Sequence, residues 1–470
     1  MIKFAFVQYL WVEFLGTMYL SSVLKRGGHD SRVFIGRNKE IIKEIKRYNP
    51  DVVAFSIFTG QYGWAVNLAK EIKENLGREK FILVGGPHPT FYPDIIHDEF
   101  IDAICIGEGE GAIIEFADKF TDKRSIREVR NFWVKDRSEI IRNPLRPLIQ
   151  DLDSLPLADR EIYYSYGFLR ENPNKHFIAG RGCPYSCSFC FNASLRKMYQ
   201  DISGNYVRLR RPENVIREID IVRAKYPLPT LRFIDDTFIH DKKWLLIFLN
   251  LYKRDIFIPF YCNLRADLVD EEIIVKLKEA NCYRVSFGIE SGNETIRNKI
   301  LNKAVTDEQI KYAAKLLRKY DIKFDTANML GLPGESHSDA WKTIQLNIDI
   351  KANSAWTSIL QPYPGTEIAS YALEKKLIKK INIQDICGDA HTSSPLDQPD
   401  IKRIENLHKF VYLILRFPLI KPVVKLLIRL PPNAIFNLIY KTSYLLFFYS
   451  QAKRQSLLRT LEEALKAAQY

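Results

Sequence analysis

Short apolar runs alternate with amphipathic stretches along the first 130 residues. Lys3–Gln8, 32–35, 51–58, Phe81–Gly85 and 102–107 read as strands, and 18–25 as a helix ending at Gly27 and Gly28. The unbroken apolar character of DVVAFSIF (51–58) fits a strand covered on both faces. Strands alternating with helices predict a parallel, doubly wound sheet, a fold that takes ligands beyond the carboxyl ends of its strands. Those ends fall at 56–63, 85–90 and 107–111, all rich in Gly, Ser, Thr or Pro. Glycine there lets the backbone approach a large ligand that bulky side chains would hold off.

Residues 131–172 carry Pro144, Pro147 and Pro156 with little periodicity, and are expected to form a linker. A second alternation begins at 173. Strands are expected at 177–180, 230–234, 260–264, 284–288, 323–329 and 354–360. Helices are expected at Pro212–Lys225, 242–253, 270–280, Asp307–Lys319 and 336–350. Six βα units predict a partial parallel barrel over 173–375, with its chemistry at the carboxyl-terminal strand ends. The fold class is therefore α/β: a Rossmann-like domain at 1–130, the barrel, and a helical region at 376–470. In that last region the apolar runs 410–415, 423–428 and 435–450 are split by Pro418, Pro422, Pro431 and Pro432. None reaches the 18 residues of a spanning helix. Arg416, Lys421, Lys425, Arg429 and Lys441 among Leu, Ile and Phe suit helices lying in a membrane interface. A helical cap on the barrel with solvated cations is the alternative.

Composition narrows the classes. With 46% hydrophobic and 27% charged residues over 470, the chain is neither disordered nor fibrous. Of the net charge of +13, eleven Lys/Arg against the single acid Glu405 place +10 between Lys402 and Arg459. No nucleic-acid partner is expected, because the rest of the chain is nearly neutral. Glu13 interrupts the apolar start and no small-residue cleavage site follows, so the start reads as a strand rather than a signal peptide. Seven cysteines are too few for a secreted disulfide scaffold. The expected compartment is the reducing cytoplasm, with 402–459 at the inner face of the membrane.

The segment GRGCPYSCSFCFN (180–192) sets Cys183, Cys187 and Cys190 in C-x3-C-x2-C spacing after the first barrel strand. At this cysteine frequency that spacing arises by chance about 0.002 times. A structural zinc site wants a fourth ligand nearby, and dithiol chemistry leaves Cys183 unexplained. Three thiolates can hold three irons of a 4Fe–4S cluster and leave the fourth open. Cys105, Cys262, Cys282 and Cys387 stand alone.

Here the chain resembles the radical S-adenosylmethionine (radical SAM) enzymes, whose signature is this spacing with an aromatic residue, here Phe189, before the last Cys. The resemblance implies that the open iron chelates SAM and that one electron cleaves it to a 5′-deoxyadenosyl radical, which abstracts hydrogen from an unactivated carbon. It implies a reduced flavodoxin or ferredoxin-type electron donor. It also places SAM contacts at Asp235 and Asp236 (FIDDTF), Arg265 (NLRAD), Glu290 (GIESGN) and Gly331, Gly334 and Glu335 (GLPGE). Many relatives carry a Gly-Gly-Glu-Pro type sequence where this chain has FIDDTF. Structural readings compete: Asp235 or Asp236 as a helix N-cap, and Arg265 paired with Glu290.

The first domain is similar to that of the cobalamin-binding subclass, including the anaerobic Mg-protoporphyrin ester cyclase-like group. This likeness implies cobalamin contacts at Ser56, Thr59, Gly85, Gly86, His88, Thr90, Gly107, Glu108 and Gly109. The Asp-x-His-x-x-Gly element is missing, so cobalamin is expected without a lower histidine from that motif. His88, between two prolines, reads as a turn residue before a ligand. A degenerate domain that only packs on the barrel is the rival reading. Methyl transfer is the expected reaction, on a small, lipid-like substrate. Radical cyclisation or a non-catalytic corrinoid or iron–sulfur protein are the alternatives. Methylthiolation of tRNA would need further cluster cysteines in a domain that has only Cys105.

Overall fold

A computed structural model describes residues 1–121, 125–137, 139–386 and 392–449. The described chain forms two compact units, one of Met1–Asn172 with Lys197–Arg208 and the other of Pro173–Arg196 with the described residues from 209 to 449.

The first unit holds a seven-stranded sheet: β1 (Lys3–Gln8), β2 (Asp30–Ile35), β3 (Val52–Ser56), β4 (Phe81–Gly85), β5 (Ala103–Cys105), β6 (Phe132–Asp136) and β7 (Glu139–Arg142). Their order is β2-β1-β3-β4-β5-β6-β7. The first five pair in parallel, and β5–β6 and β6–β7 are antiparallel. Val53, Phe55, Ile82, Val84 and Ile104 meet the helix residues Leu68 and Ile72 on one face. Phe116 meets the Phe4 ring edge-on and the Phe81 and Phe132 rings at a tilt on the other. Burial on both faces explains the continuous apolar runs.

Residues 131–172 correct the expected linker. They supply β6 and β7 and then return across the sheet. The Tyr163 hydroxyl donates to Gln8 Oε1 (2.7 Å) and that of Tyr164 to Glu13 Oε2 (2.8 Å). Glu13, the residue that argued against a signal peptide, is thereby a buried, hydrogen-bonded carboxylate.

In the second unit β8 (Asn174–Phe177), β11 (Thr230–Phe233), β12 (Phe260–Asn263), β13 (Cys282–Glu290), β14 (Lys323–Leu330) and β15 (Ser354–Ile359) form a parallel sheet. Its order, β15-β14-β13-β12-β11-β8, follows the chain without a skip, as a partial barrel requires. The first strand lies earlier than expected. Ala179 and Gly180 fall outside it, and β9 (Gly180–Arg181) and β10 (Arg208–Leu209) are separate short strands. Phe233, Phe248, Phe260, Val285 and Leu317 lead the core between strands and helices.

The helix Ile401–Arg416 packs Ile404, Leu407, Phe410 and Ile414 against Leu330, Ala340 and Ile344. This part of the C-terminal region is thus a cap on the second unit. Among the described residues no helix is long and apolar enough to cross a membrane. Cys387 and residues 450–470, including the last basic positions up to Arg459, lie outside the described residues.

Candidate functional site: a three-cysteine loop and two sets of strand ends

The cysteine loop begins where β8 has ended. Asp235, just past β11, accepts hydrogen bonds from the amides of Ala179 (3.0 Å) and Gly180 (2.7 Å) and so fixes the loop's first residues. Gly182, at φ +87°, turns the chain into Cys183 in a conformation side chains resist. The Ser188 amide donates to Leu301 O and its hydroxyl to Ile300 O. Asn302 Nδ2 donates to Ser186 O, and the Ile368 amide to Ser188 O. The loop is thus pinned along its backbone at several points.

Each sulfur has a polar neighbour. Cys183 Sγ lies 3.7 Å from Thr237 Oγ1, Arg265 Nη1 donates to Cys187 Sγ at 3.8 Å, and Asn192 Nδ2 to Cys190 Sγ at 3.8 Å. Burial pushes the Cys190 thiol up to about 11 and raises that of Cys187, where the Lys303 and Arg265 cations oppose it. Two nitrogen donors aimed at Cys187 and Cys190, and a hydroxyl beside Cys183, suit thiolates that share charge with a cluster. Among the described residues no three His, Cys, Asp or Glu side chains gather around a single point.

Around the loop stand the residues expected to meet SAM. Asp235 is committed to the loop, and its burial lifts its carboxyl to about 7 against the two amide hydrogen bonds. Asp236 is the exposed member of the pair and is hydrogen-bonded to the Asn192 side chain. Neither is an N-cap, because Asp241 caps the following helix. Arg265 lies 3.4 Å from the Tyr185 ring centroid, pairs with Asp267 (3.0 Å) and donates to Lys303 O (2.7 Å). Glu290 pairs with Lys303 (3.0 Å), so the competing Arg265–Glu290 bridge is not formed. Its backbone is left-handed, at φ +65°, and its carboxylate folds over Gly288, where a Cβ would occupy its place. Tyr185, Asn192, Thr237, Asp267 and Lys303 are the residues that sequence reasoning missed.

In GLPGE, Gly331 (φ +72°) and Gly334 (φ +74°) make the turn. Glu335 Oε2 accepts from the Gly331 (2.6 Å) and Leu332 amides, and its buried Oε1 has no hydrogen-bond partner among the described residues. Burial pushes its carboxyl up to about 8, above an unfolded value near 4.5. A raised folded-state pKa stabilises the fold fully below the unfolded value and loses that contribution as pH climbs through 8. Glu335→Gln should therefore gain on the wild type between pH 6 and pH 9 in thermal unfolding midpoint. A difference that does not change with pH would show that Glu335 does not titrate there.

In the first unit the expected cobalamin contacts gather at the ends of β3, β4 and β5. Several are already engaged. Thr90 Oγ1 donates to Gly86 O (2.8 Å) and accepts from the Gly107 amide (3.1 Å). Glu108 pairs with Arg208 (2.9 Å) and accepts from the Ile149 amide. His88 departs from the turn reading: it sits in the short helix Pro87–Phe91, fully buried between the Tyr62 and Tyr92 rings. Its Nδ1 lies 3.3 Å from Thr59 Oγ1, and burial lowers its pKa to about 4, so the ring is neutral at physiological pH. Gly86, at φ +94°, passes so close to Ile57 that a Cβ would lie 2.8 Å from its amide nitrogen. Ser56 and Gly85 leave the ends of β3 and β4 without bulk, Gly107 and Gly109 are packed against Tyr199 and Leu20, and Phe58 stands half-exposed against Phe14 (5.8 Å between centroids). Small polar edges beside an exposed aromatic fit a flat macrocycle with amide side chains. Two surface cavities of about 520 and 530 Å³ are lined by neither residue set.

Comparison with known proteins accords with both halves. The radical SAM superfamily model matches residues 177–346 and the B12 binding domain model residues 10–117. An uncharacterized methyltransferase of Pyrococcus horikoshii is 30% identical over 377 residues, covering 78% of this chain and 80% of its own. The anaerobic magnesium-protoporphyrin IX monomethyl ester cyclase of Rubrivivax gelatinosus is 26% identical, covering 74% and 64%. Among solved structures, the radical SAM methyltransferase TsrM of Kitasatospora setae superposes with a TM-score of 0.65 at 18% identity, covering 79% of this chain and 77% of that one. The cobalamin-dependent radical SAM enzyme OxsB gives 0.64 at 17%, covering 100% and 75%.

Proposed function

The chain belongs to the radical SAM superfamily and carries a B12-binding domain, and from this premise we propose that it transfers a methyl group to an unactivated carbon of a small, lipid-like molecule. It is an enzyme whose cofactors are a 4Fe–4S cluster, SAM and cobalamin. When bound, the cluster supplies the electron that cleaves SAM to a 5′-deoxyadenosyl radical and cobalamin supplies the methyl group.

The chain's own residues hold and orient. Cys183, Cys187 and Cys190 would hold three irons, with the donors from Thr237, Arg265 and Asn192 stabilising the sulfur charge. Asp236, more accessible than Asp235 and held by the Asn192 side chain, is the carboxylate that would face the SAM ammonium. Glu290, held by Lys303, would accept from the ribose hydroxyls. Gly331 and Gly334 would offer the adenine a backbone edge, while Glu335 serves the turn itself. In the first unit Ser56, Gly85, Gly86, Gly107 and Gly109 would border the corrin ring, and Thr59, His88, Thr90 and Glu108 would stiffen that border. The electron would come from a reduced flavodoxin or ferredoxin-type donor, and the basic region 402–459 would bring the enzyme to the inner face of a membrane.

The pinned loop with a polar partner at each sulfur carries this reading. The protein, reconstituted anaerobically with iron, sulfide and hydroxocobalamin, should retain corrinoid through gel filtration. With SAM and dithionite it should produce 5′-deoxyadenosine, and with methyl-deuterated SAM it should label the methylated product. Absence of 5′-deoxyadenosine from cluster-loaded protein would refute the enzyme. The nucleoside without label in product would refute methyl transfer and favour oxidation or cyclisation.

A further inference from the structure

We infer that the segment 417–446 is a docking face for an anionic lipid bilayer, lying on its surface. The helices Lys421–Leu427 and Ala434–Ser443 and their flanks carry two apolar stripes. One turns inward: Val424, Ile428 and Phe436 are buried with Ile404, Phe410 and Ile414. The other turns outward. Leu419, Val423, Leu426 and Leu430 recur at the i, i+4, i+7, i+11 spacing of one helical face, with Leu419 94% and Leu426 64% exposed. On the next helix Ile435 and Leu438 are likewise exposed, at 68% and 65%. A surface helix needs one apolar stripe to pack, so the fold explains the inward stripe and leaves the outward one uncovered.

Charge identifies what covers it. Residues 406–449 contain six Lys/Arg and no Asp or Glu. Arg416, Lys425, Arg429 and Lys441 are exposed among the outward leucines, and Lys425 lies over the Trp341 ring at 5.7 Å. Protein interfaces are depleted of lysine, and nucleic acids give exposed leucines nothing to enter. A bilayer with anionic headgroups accepts both kinds of side chain: leucines reach the acyl boundary and cations stay at the phosphates. The inference rests on and deepens the membrane association proposed above by naming its surface, while docking itself is independent of the reaction.

The test uses the full-length, anaerobically purified protein and vesicles of phosphatidylcholine with or without phosphatidylglycerol. The protein should sediment with the phosphatidylglycerol vesicles and be released by salt. The Leu419→Glu/Leu426→Glu/Leu438→Glu variant should bind about tenfold less or weaker still, while still producing 5′-deoxyadenosine from SAM. No vesicle binding by the wild type, or equal binding by the variant, would overturn the inference. So would a wild-type dimer that ignores vesicles and that the variant dissociates, which would assign the face to a second copy of the chain. Vesicle binding without 5′-deoxyadenosine would leave docking standing and count against the catalytic proposal alone.

Discussion

Cys187→Ala protein, reconstituted anaerobically with iron and sulfide, is expected to lose the 4Fe–4S absorbance and the paramagnetic signal of the reduced cluster. Production of 5′-deoxyadenosine should fall below about 1% of wild type, since loss of an outer partner alone costs 10- to 100-fold. Cys187 is the most informative of the three because its sulfur is buried and receives the Arg265 guanidinium. Alanine leaves that cation facing a methyl group and one iron without a thiolate. The fold should survive, because the loop is held by Ser186 O, Ser188 and the Asp235 carboxylate rather than by the sulfur. Circular dichroism and thermal unfolding of the two apo proteins should therefore agree. A variant that keeps iron and activity would show that the cluster is held elsewhere.

What was legible in the sequence shares a physical property: it is local. The C-x3-C-x2-C spacing, the glycine-rich strand ends and GLPGE are contiguous, and Gly86, Gly107, Gly182, Gly331 and Gly334 among them take the left-handed backbone that favours glycine. What stayed hidden comes from distant positions or from polar residues in buried places. Lys303 meets Glu290 only because the short π-helical turn Ile296–Ile300 brings the chain back, and no periodicity announces such a turn. β8 reads Asn-Lys-His-Phe, and the fully buried Lys175 masks the apolar signal of a strand. Residues 131–172 lack periodicity because tyrosines bury their rings and use their hydroxyls as hydrogen-bond donors, a pattern that resembles a polar loop. Glu335 and Asp235 were read as ligand contacts from their positions. Their hydrogen bonds turn both inward, and their burial marks them as parts of the scaffold.

Arg284→Met should destabilise the second unit by about 3–5 kcal/mol, the cost of leaving a buried carboxylate without its cation. On β13 and β14, Arg284 Nε donates to Asp325 Oδ2 at 2.6 Å and Nη2 to Oδ1 at 2.5 Å. The two side chains are almost wholly buried, and Ser354 Oγ (2.6 Å) and the Tyr261 hydroxyl (3.3 Å) complete the carboxylate's partners. The fork geometry is specific to arginine, so Arg284→Lys should recover only part of the loss. Removing both charges is the decisive comparison. Arg284→Met/Asp325→Leu discards the attraction and the desolvation cost together, and such replacements are often near neutral. The expected order of unfolding midpoints is therefore wild type close to the double variant, with both single variants on the order of 10 °C lower. If the double variant instead falls by the sum of the singles, the pair contributes no coupling. The barrel would then owe its stability at this level to packing of the arginine stem and of Tyr261, whose ring also receives the Arg232 guanidinium at 4.4 Å.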